Sequence, residues 1–259
     1  MKVLVCIPAR YGSTRFPAKV LAKDTGKFLI QHTYERALLA KTVDKVLIAT
    51  DSEEVRRACE SFGATCVMTS TDHQSGTDRI AEAVADIDVE IIVNLQADEP
   101  EIDPADIDYL AKLLLDKPYY PMATLVAEFQ TEEKISDPNI VKVITDSNNN
   151  AIYFSRSVIP FDREAGGVGK VDGFLRHLGI YAYTKDFLLK ITSLPQTSLE
   201  KTEKLEQLRV IENGFAILVG KVKHTCDGID TPQQYTEFVK RYYQNTTKIY
   251  PEILSGEGS

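Results

Sequence analysis

The segment 8–19 concentrates positive charge directly after the first apolar stretch of the chain. It holds three cations, among them Arg10 and Lys19, with two hydroxyls and a glycine, and residues 1–23 contain no acidic side chain. An electropositive loop at the carboxyl end of a parallel strand is where α/β sheets bind phosphorylated ligands. We therefore predict that Arg10, Lys19 and backbone N–H groups hold a polyphosphate, with a solvated basic loop as the alternative. The spacing matches neither a Walker A loop nor GxGxxG.

Carboxylates follow a second apolar run, at 91–95. The segment 96–100, which contains Asp98 and Glu99, comes directly after it, which also places these carboxylates at the carboxyl edge of a sheet. Magnesium is usually held by one or two carboxylates together with substrate phosphates, so either residue could face the basic segment across a shared nucleotide. The alternative is a solvated acidic turn before a helix. Asp227 and Asp230 pose the same choice, since Asp230 could merely flank a helix N-cap.

Neither the histidines nor the hydroxyl residues indicate a zinc site or an activated nucleophile. His32, His73, His177 and His224 are scattered, with no HExxH and no cysteine at ligand spacing. No GxSxG motif occurs. The polar segment 72–79 could contact a base or ribose through hydroxyls and backbone amides, or it could be only a capped helix start. His177 could likewise be only a half-buried strand residue.

The composition, 43% hydrophobic and 26% charged residues, is that of a soluble globular protein. A chain of 259 residues can bury a full core, as two modest domains or as one α/β domain with a smaller lobe. The net charge of -8 excludes nucleic-acid binding through overall charge. The first apolar run, at 3–7, is far shorter than the roughly 18 residues that span a bilayer, and no signal peptide is visible. The four cysteines form no CxxC pair, which predicts reduced, buried thiols and a cytoplasmic protein.

Positioning these side chains requires a sheet, and the chain alternates short β-branched runs with helical patterns. Continuous apolarity predicts buried parallel strands at 3–7, 45–50, 65–68 and 91–95. Between them we predict helices at 30–40 and after Asp51, which we interpret as an N-cap with Glu54 completing a capping box and Gly63 ending the helix. This βαβα order predicts a parallel sheet.

The second half of the chain adds antiparallel structure. Runs at 141–145 and 151–154 flank the turn-rich segment 146–150, which predicts a hairpin and therefore a mixed sheet. The other predicted elements are a helix at 104–115, a strand at 177–183, helices at 185–191 and 199–213, a strand at 216–221 and a last helix from Thr231 and Pro232.

Two segments and one helix face complete the prediction of the architecture. The stretch 155–173 has three glycines between residues 166 and 169, charges and few apolar residues, and is predicted to be a long mobile loop. The tail 247–259 is predicted to be flexible. In the helix 199–213, Glu206 and Arg209 share a face away from the apolar stripe and could simply pair with each other.

Taken together, these segments resemble the 3-deoxy-D-manno-octulosonate (Kdo) cytidylyltransferases, also called CMP-Kdo synthetases, over roughly residues 2–243. The family is usually recognised by segments that read here IPARYGSTRFPAK (7–19), ATDSEEV (49–55), MTSTDHQSGTDRIAEA (68–83), NLQADEP (94–100), YFSRSVIPFDR (153–163), FLRHLGIYAY (174–183), LEKTEKLEQLR (199–209) and GIDTPQQ (228–234). The first and fourth occur in other nucleotidyltransferases, whereas DHQSGTDR, FLRHLGIY and LEQLR are more specific to enzymes of Kdo-like acids. Ala18 and Ala97 stand where glycine is common, and Val20 where proline is common.

The resemblance implies a nucleotidyltransferase Rossmann-like fold of the α/β class. A mixed, mainly parallel central sheet with flanking helices would form one catalytic domain over 1–259, with 155–210 as an embedded sugar-binding and dimerisation lobe. The implied reaction is CTP plus Kdo giving CMP-Kdo and pyrophosphate, with magnesium, for lipopolysaccharide biosynthesis. The implied protein is a cytoplasmic homodimer that binds no nucleic acid and does not insert into membranes.

The resemblance also implies roles for individual residues. Arg10, Lys19, Asp98 and Asp230 would be catalytic, and the two aspartates would hold Mg²⁺. The remaining implied ligands of CTP are Pro8, Ala9, Ser13, Gln74, Ser75, Gly76 and Arg79. The implied ligands of the sugar are Arg156, Arg163, His177, Tyr181, Glu206 and Gln207.

Two rival functions stay open. The first is a cytidylyltransferase for a modified acid, such as 8-amino-3,8-dideoxy-Kdo or a sialic acid, because a hydroxyl-to-amine change needs few altered contacts. The second is a nucleotide-binding regulator that keeps the fold without turnover. The presence of Asp98, Asp230 and Lys19 together argues against such a regulator.

Overall fold

The computed structural model describes residues 1–12, 15–223 and 227–249, and within them the chain forms one nine-stranded sheet with helices on its faces. The strands are β1 (Val3–Ala9), β2 (Lys45–Thr50), β3 (Cys66–Met68), β4 (Ile91–Asn94), β5 (Met122–Glu128), β6 (Lys142–Thr145), β7 (Ala151–Ser155), β8 (Leu175–Thr184) and β9 (Ile217–Val222). The helices are α1 (Leu29–Leu38), α2 (Glu53–Ser61), α3 (Gly76–Val84), α4 (Pro104–Asp116), α5 (Glu132–Ile135), α6 (Lys185–Ser193), α7 (Ser198–Glu203), α8 (Gln207–Glu212) and α9 (Pro232–Ile249).

The sheet is mixed and mainly parallel, as predicted. Its strands lie in the order β3-β2-β1-β4-β8-β5-β9, and β6 pairs with β7 and β8 outside this path. Within the path β8 is antiparallel to both of its neighbours, while the other strand pairs are parallel. β8 is the one strand of this path that runs opposite to the others. The carboxyl ends of the other six strands therefore lie at one edge of the sheet.

The continuous apolarity of β1 follows from its position between two helical layers. Val3, Val5 and Ile7 pack into the cluster that contains α1 and α4, whereas Leu4 and Cys6 pack into the cluster on the opposite face. A strand covered on both faces has no solvated positions, so it lacks the alternation of an exposed strand. In residues 1–12, 15–223 and 227–249, no helix is both long enough and apolar enough to cross a bilayer.

The predicted hairpin is confirmed. β6 and β7 pair antiparallel, and the turn between them is held by Asp146, whose Oδ1 accepts hydrogen bonds from the amides of Asn148 and Asn150, both at 2.8 Å. Asn149 adopts φ 64°, a left-handed conformation that asparagine tolerates in turns. Side-chain capping of this kind explains why the run of polar residues forms a tight turn.

The start of α2 differs from the prediction by one residue. Ser52, not Asp51, is the N-cap, because its Oγ accepts a hydrogen bond from the amide of Val55. The carboxylate of Asp51 instead pairs with Arg79. The predicted end is correct in kind, since Gly63 has φ +78° just after the helix.

The predicted single helix 199–213 is wrong: it is broken into α7 and α8. Lys204 lies between them in a left-handed conformation, φ 54°, which ends α7 and turns the chain. The alternative that Glu206 simply pairs with Arg209 is also wrong, although both residues lie in the first turn of α8 and the amide of Arg209 donates to the carbonyl of Glu206 at 3.0 Å. The guanidinium of Arg209 instead forms two hydrogen bonds, of 2.5 and 2.9 Å, with the carboxylate of Glu200, a buried ion pair that joins α7 to α8.

Residues 156–174 form no helix or strand beyond a single bridge between Asp162 and Gly167, and their mobility stays a prediction. α9 runs to Ile249, so it includes the first residues of the predicted tail, and residues 250–259 lie outside the described part of the chain. Cys6 and Cys59 are buried free thiols and Cys66 is a half-buried one.

Candidate active site

A cavity of about 990 Å³ opens at the carboxyl ends of β1 and β4. One wall consists of residues that follow these strands and of the first turn of α3, and the other consists of β8 and the turn before α8. The cavity therefore lies where an α/β sheet is expected to bind its ligand. The residues predicted from sequence that line it are Arg10, Gln74, Ser75, Gly76, Asp98, Arg156, His177, Tyr181, Glu206, Gln207 and Asp230.

At one end of the cavity, two lining carboxylates are joined by the ammonium group of Lys19, which does not itself line the cavity. Its Nζ lies 2.6 Å from Oδ2 of Asp98 and 3.5 Å from Oδ1 of Asp230. Lys19 is 9% exposed and begins a 3₁₀ turn, so its charge is shielded from water more than that of Asp230, whose side chain is 45% exposed. The amide of Ile229 donates to the carbonyl of Asp98 at 2.9 Å, which fixes the two acidic segments side by side.

The two aspartates can contribute to a magnesium site but cannot form one alone. Among the described residues no group of three or more His, Cys, Asp or Glu side chains is placed to hold a metal ion. Mg²⁺ bound to a nucleotide usually takes one or two carboxylates, with phosphate oxygens and water completing its six ligands. The ammonium of Lys19 already lies between the two carboxylates, so these oxygen atoms are placed to share one cation.

Two arginines extend the positive charge at this end. Arg10 follows β1, is exposed and lines the cavity. Arg15 had no assigned role in the sequence interpretation, yet its Nη2 lies 2.9 Å from Oδ1 of Asp230, with both side chains largely exposed. Ser13, predicted to bind CTP, lies outside the described residues.

The first turn of α3 forms the neighbouring part of the wall. Ser75 is the N-cap of α3, with its Oγ accepting from the amide of Asp78 at 3.0 Å, and Gly76 follows it. A Cβ atom added at Gly76 would lie 3.1 Å from Cγ of Pro8, so the absence of a side chain lets this turn pack against the end of β1. Pro8 and Ala9 support the wall from within β1 but do not line the cavity.

Arg79 does not belong to the cavity wall. It is 2% exposed, and its guanidinium donates to Oδ2 of Asp51 and to Oγ1 of Thr69, both at 2.5 Å. Arg79 thus connects α3 to the ends of β2 and β3. A buried guanidinium requires an opposite charge, and the carboxylate of Asp51 supplies it. Its implied contact with cytidine is not supported by this placement.

The opposite wall contains His177 and Tyr181 of β8. His177 is 9% exposed, and Nε2 lies 3.0 Å from Oγ1 of Thr124, a hydroxyl that donates to the carbonyl of Ile180 at 2.8 Å. The ring is therefore the donor at Nε2, and Nδ1 is its acceptor. Burial lowers the pKa of His177 to about 3, so the imidazole is neutral at physiological pH. Burial also raises the pKa of the Tyr181 phenol above its usual range.

Glu206 and Gln207 enter this wall from the turn between α7 and α8. Burial raises the pKa of Glu206, and hydrogen bonds with the hydroxyls of Thr77 and Ser75 oppose that rise. Gln207 is 4% exposed. Because Thr77 and Ser75 belong to the start of α3, the two walls of the cavity touch at Glu206.

Arg156 lines the cavity with a guanidinium that is already held by backbone carbonyls. Its Nε donates to the carbonyl of Glu203 at 2.7 Å and its Nη1 to that of Pro138 at 3.0 Å, while the buried Lys142 donates to the carbonyl of Arg156 itself. Arg163 lies in the loop after β7, is exposed and does not line the cavity.

The structure adds Glu99 and Arg176 to the wall. Burial, followed by the neighbouring charge of Asp98, raises the pKa of Glu99 to about 8, and Arg176 opposes that rise. The sequence offers Glu99 only as an alternative to Asp98 and assigns no role to Arg176. The available signal was its position beside His177 in a motif that the resemblance already marked.

The two alanines at positions where glycine is common behave differently. Ala18 has φ 52°, a left-handed conformation that is strained for a residue with a Cβ atom, immediately before Lys19. Ala97 is 7% exposed in the core, is absent from the residues with positive φ, and its carbonyl accepts from Thr33 Oγ1 at 3.1 Å. Ala97 does not line the cavity.

Comparison with known proteins agrees with this geometry. A family model described as Cytidylyltransferase matches residues 4–221. A 3-deoxy-manno-octulosonate cytidylyltransferase of Solibacter usitatus (strain Ellin6076) is 46% identical over 258 residues, which is 100% of this chain and 98% of that protein. An 8-amino-3,8-dideoxy-manno-octulosonate cytidylyltransferase of Shewanella halifaxensis (strain HAW-EB4) is 47% identical over 237 residues, 90% of this chain and 95% of that one.

A solved structure agrees over the same length. The CMP:2-keto-3-deoxy-manno-octonic acid synthetase complexed with CTP superposes with a TM-score of 0.89 at 40% identity, covering 95% of this chain and 100% of that chain. A cytidylyltransferase from Leptospira borgpetersenii serovar Hardjo-bovis (strain JB197), with a TM-score of 0.62 and 19% identity over 100% of this chain and 99% of its own, shares the fold.

Proposed function

Because this chain belongs to the cytidylyltransferase family, we propose that it transfers CMP from CTP to the anomeric hydroxyl of Kdo, giving CMP-Kdo and pyrophosphate for lipopolysaccharide biosynthesis. The chain is a nucleotidyltransferase. The observation that carries the choice of reaction is one cavity with Asp98 and Asp230, which Lys19 joins, at one end and neutral or shielded polar groups at the other. The first end suits a triphosphate with its metal, and the second suits a polyhydroxylated sugar.

In the proposed reaction the anomeric oxygen of Kdo attacks the α-phosphorus of CTP. The new P–O bond forms opposite the bond to the leaving pyrophosphate, and the sugar hydroxyl loses its proton. The protein forms no covalent bond, so its contribution is to position reactants and to offset charge. Arg10 and Lys19 offset the negative charge that develops on the transferred phosphoryl group and on pyrophosphate.

Asp98 and Asp230 would hold Mg²⁺ in this scheme. When bound, the ion neutralises charge on the triphosphate and orients the leaving pyrophosphate. In its absence, Lys19 keeps the two carboxylates together, so the site does not have to assemble from separated groups. The fit rests on the two carboxylates and on their common cation.

The sugar end supplies acceptors and donors for hydroxyl groups. The neutral His177 offers an acceptor at Nδ1, and Glu206 and Gln207 offer carboxyl and amide groups from a turn that contacts α3. Contacts between Glu206 and the first turn of α3 link the sugar end to the nucleotide end. We further propose that Arg163, together with the rest of 155–173, closes over the bound sugar.

The assembly and the location are part of the proposal, and the resemblance to the Kdo cytidylyltransferases supports them. We propose a cytoplasmic homodimer in which 155–210 forms the sugar-binding and dimerisation lobe. Part of that segment is β8, which is built into the central sheet, so such a lobe would not be a separate folding unit.

The second candidate function is transfer of CMP to 8-amino-3,8-dideoxy-Kdo. The relative of that name is as similar to this chain as the Kdo enzyme is. A hydroxyl and an amine at one carbon can differ by a single contact with the protein, so the two acids must be compared directly as acceptors.

The test is release of pyrophosphate from CTP and Mg²⁺ with Kdo, 8-amino-Kdo or a sialic acid as acceptor. We expect Kdo to give the highest kcat/KM. A higher value with 8-amino-Kdo would replace the first proposal by the second. CTP binding without pyrophosphate release from any acceptor would instead indicate a nucleotide-binding regulator.

A further inference from the structure

Arg176 is a cation of the cavity wall that the roles described above leave unused. It lies in β8 beside His177, and its side chain is 15% exposed. Its Nε atom is buried and has no hydrogen-bond partner in the described part of the chain. A buried donor without an acceptor costs about 1–3 kcal/mol, a cost that a bound ligand can remove by supplying the acceptor.

One nitrogen of this guanidinium, Nη2, is paired with Asp227. Nη2 of Arg176 donates to Oδ1 of Asp227, and Nζ of Lys134 lies 3.9 Å from the other carboxylate oxygen. The side chain of Asp227 is 55% exposed and that of Lys134 is 51% exposed. Exposed ion pairs contribute only about 0–1 kcal/mol, because water competes for both charges. Asp227 is therefore a weakly held partner of a well-shielded arginine.

Asp227 accepts from only part of the hydrogen-bond donors of this guanidinium. An arginine can bind a carboxylate through two parallel N–H donors, and Nε with one Nη nitrogen forms such a pair. Asp227 contacts Nη2 alone, which leaves Nε unsatisfied. A carboxylate that approaches from the cavity could accept from both nitrogens.

The other arginine on this side of the cavity is less suited to that role. Arg156 already donates through Nε and Nη1 to two backbone carbonyls, so a ligand would have to displace both bonds to obtain the same fork. Arg176 has an open donor, and its present partner can return to water at little cost.

From these contacts we propose that Arg176 binds the carboxylate of the sugar-acid substrate and that Asp227 occupies the guanidinium until the substrate displaces it. The exchange makes and breaks only hydrogen bonds and an ion pair. This inference rests on the proposed function, since it assigns the acidic group of that substrate to one residue. It also makes the protein's own carboxylate a competitor of its substrate.

The test uses an analogue of Kdo that lacks the anomeric hydroxyl, as the free acid and as its methyl ester, with dissociation constants measured by calorimetry in the presence of CTP and Mg²⁺. In Arg176→Gln we expect the acid to bind about 10- to 100-fold more weakly, the range for hydrogen bonds to charged groups. The ester, which lacks the charge, should weaken less than about 3-fold. Equal weakening of acid and ester would overturn the assignment.

Asp227→Asn tests the competition separately and changes an exposed side chain, so it does not depend on the folding of an Arg176 variant. We expect it to strengthen binding of the acid by about 3- to 10-fold, to leave the ester unchanged, and to have no effect in an Arg176→Gln background. Weaker binding of the acid in Asp227→Asn would overturn the proposal, because it would mean that the intact ion pair supports the site.

Two further variants serve as controls for the binding measurements. Glu128→Gln removes an exposed ion pair with Lys221 that does not line the cavity, and it should change neither constant. Arg176→Lys retains the charge without the fork and should weaken the acid less than Arg176→Gln does. Failure of the wild type to release pyrophosphate from CTP and Kdo would count against the proposed function, whereas an active enzyme with unchanged affinities in both variants would count against this inference alone.

Discussion

Lys19 and Asp98 form the shortest link between the basic and acidic segments of the cavity, with Nζ 2.6 Å from Oδ2. The same ammonium reaches Asp230 at 3.5 Å, from a segment at the other end of the sequence. The cation that would contact the triphosphate is thus also the group that holds the proposed metal carboxylates together. When Lys19 binds the triphosphate, it must give up some of its contacts with Asp98 and Asp230. Triphosphate binding is therefore coupled to the positioning of the two carboxylates.

Lys19→Met is expected to lower kcat by about two to three orders of magnitude, since each order corresponds to roughly 1.4 kcal/mol of lost charge stabilisation. Pyrophosphate release at saturating CTP and Kdo measures the effect. Lys221→Met, which removes an exposed lysine that does not line the cavity, should retain normal turnover. An unchanged rate in Lys19→Met would sink the assignment of Lys19 to the triphosphate.

Asp98→Asn and Asp230→Asn are each expected to remove most of the activity, because each deletes a charge that Mg²⁺ requires. Both act through one ion, so the double variant should lose much less than the sum of the two losses in free energy. Raising the Mg²⁺ concentration should partly restore either single variant. Fully additive losses, or near-normal activity of a single variant at limiting Mg²⁺, would contradict the shared site.

Protection of the loop 155–173 from proteolysis is expected when CTP, Mg²⁺ and a sugar analogue are bound, because closure over the sugar would order it. Limited proteolysis of the free and the saturated protein, followed by mass spectrometry of the fragments, checks this. Equal cleavage in both states would argue against a lid.

Ala18→Gly is expected to stabilise the protein by about 0.5–1 kcal/mol, because glycine adopts φ 52° without the clash of a Cβ atom. Ala97→Gly is the matched control. It removes a buried methyl at a residue without positive φ, so it should destabilise the protein by about 1 kcal/mol. Urea denaturation of both variants measures the difference, and a loss of stability in Ala18→Gly would be inconsistent with strain at this residue.

His177 is expected to make stability depend on pH below its ordinary pKa of 6.5. The folded state keeps the ring neutral down to a pKa of about 3, so between these values the unfolded state binds the extra proton and stability falls as the pH falls. Between pH 6.5 and 5.5 this costs about 1 kcal/mol. Urea unfolding of wild type and His177→Gln at both pH values should show a loss smaller by that amount in the variant. Identical pH dependence would mean that folding does not lower the pKa of this ring.

Sequence reasoning predicted the sheet well because its strands are buried on both faces. Such strands read as short unbroken apolar runs, and β2 was predicted to the residue. The break between α7 and α8 could not be predicted in the same way. It depends on the left-handed Lys204 and on the buried pair of Glu200 with Arg209, which are tertiary features that helical periodicity does not contain.

The site was predictable in part for a related reason. Carboxyl ends of parallel strands gather at one edge, so Arg10, Asp98 and the segment 74–76 could be expected to lie together. Arg79 lies three residues after that segment, yet its side chain pairs with Asp51, which follows β2. The FLRHLGIY segment marks Arg176 in the sequence, but only the structure shows that Asp227 pairs with it and that its Nε has no partner among the described residues.

The position of β8 has a consequence for how the chain is made. β8 begins at Leu175 but pairs with β4 and β5, which precede it by tens of residues, and β5 then pairs with β9 at Ile217–Val222. A nascent chain that has only β1 to β4 outside the ribosome therefore exposes one edge of β4, which no later strand covers until residue 184 has emerged. Long-range pairing of this kind slows folding and leaves an edge open to association with other chains. We expect synthesis, rather than the finished enzyme, to be the stage at which this protein is most prone to aggregate and most dependent on chaperones.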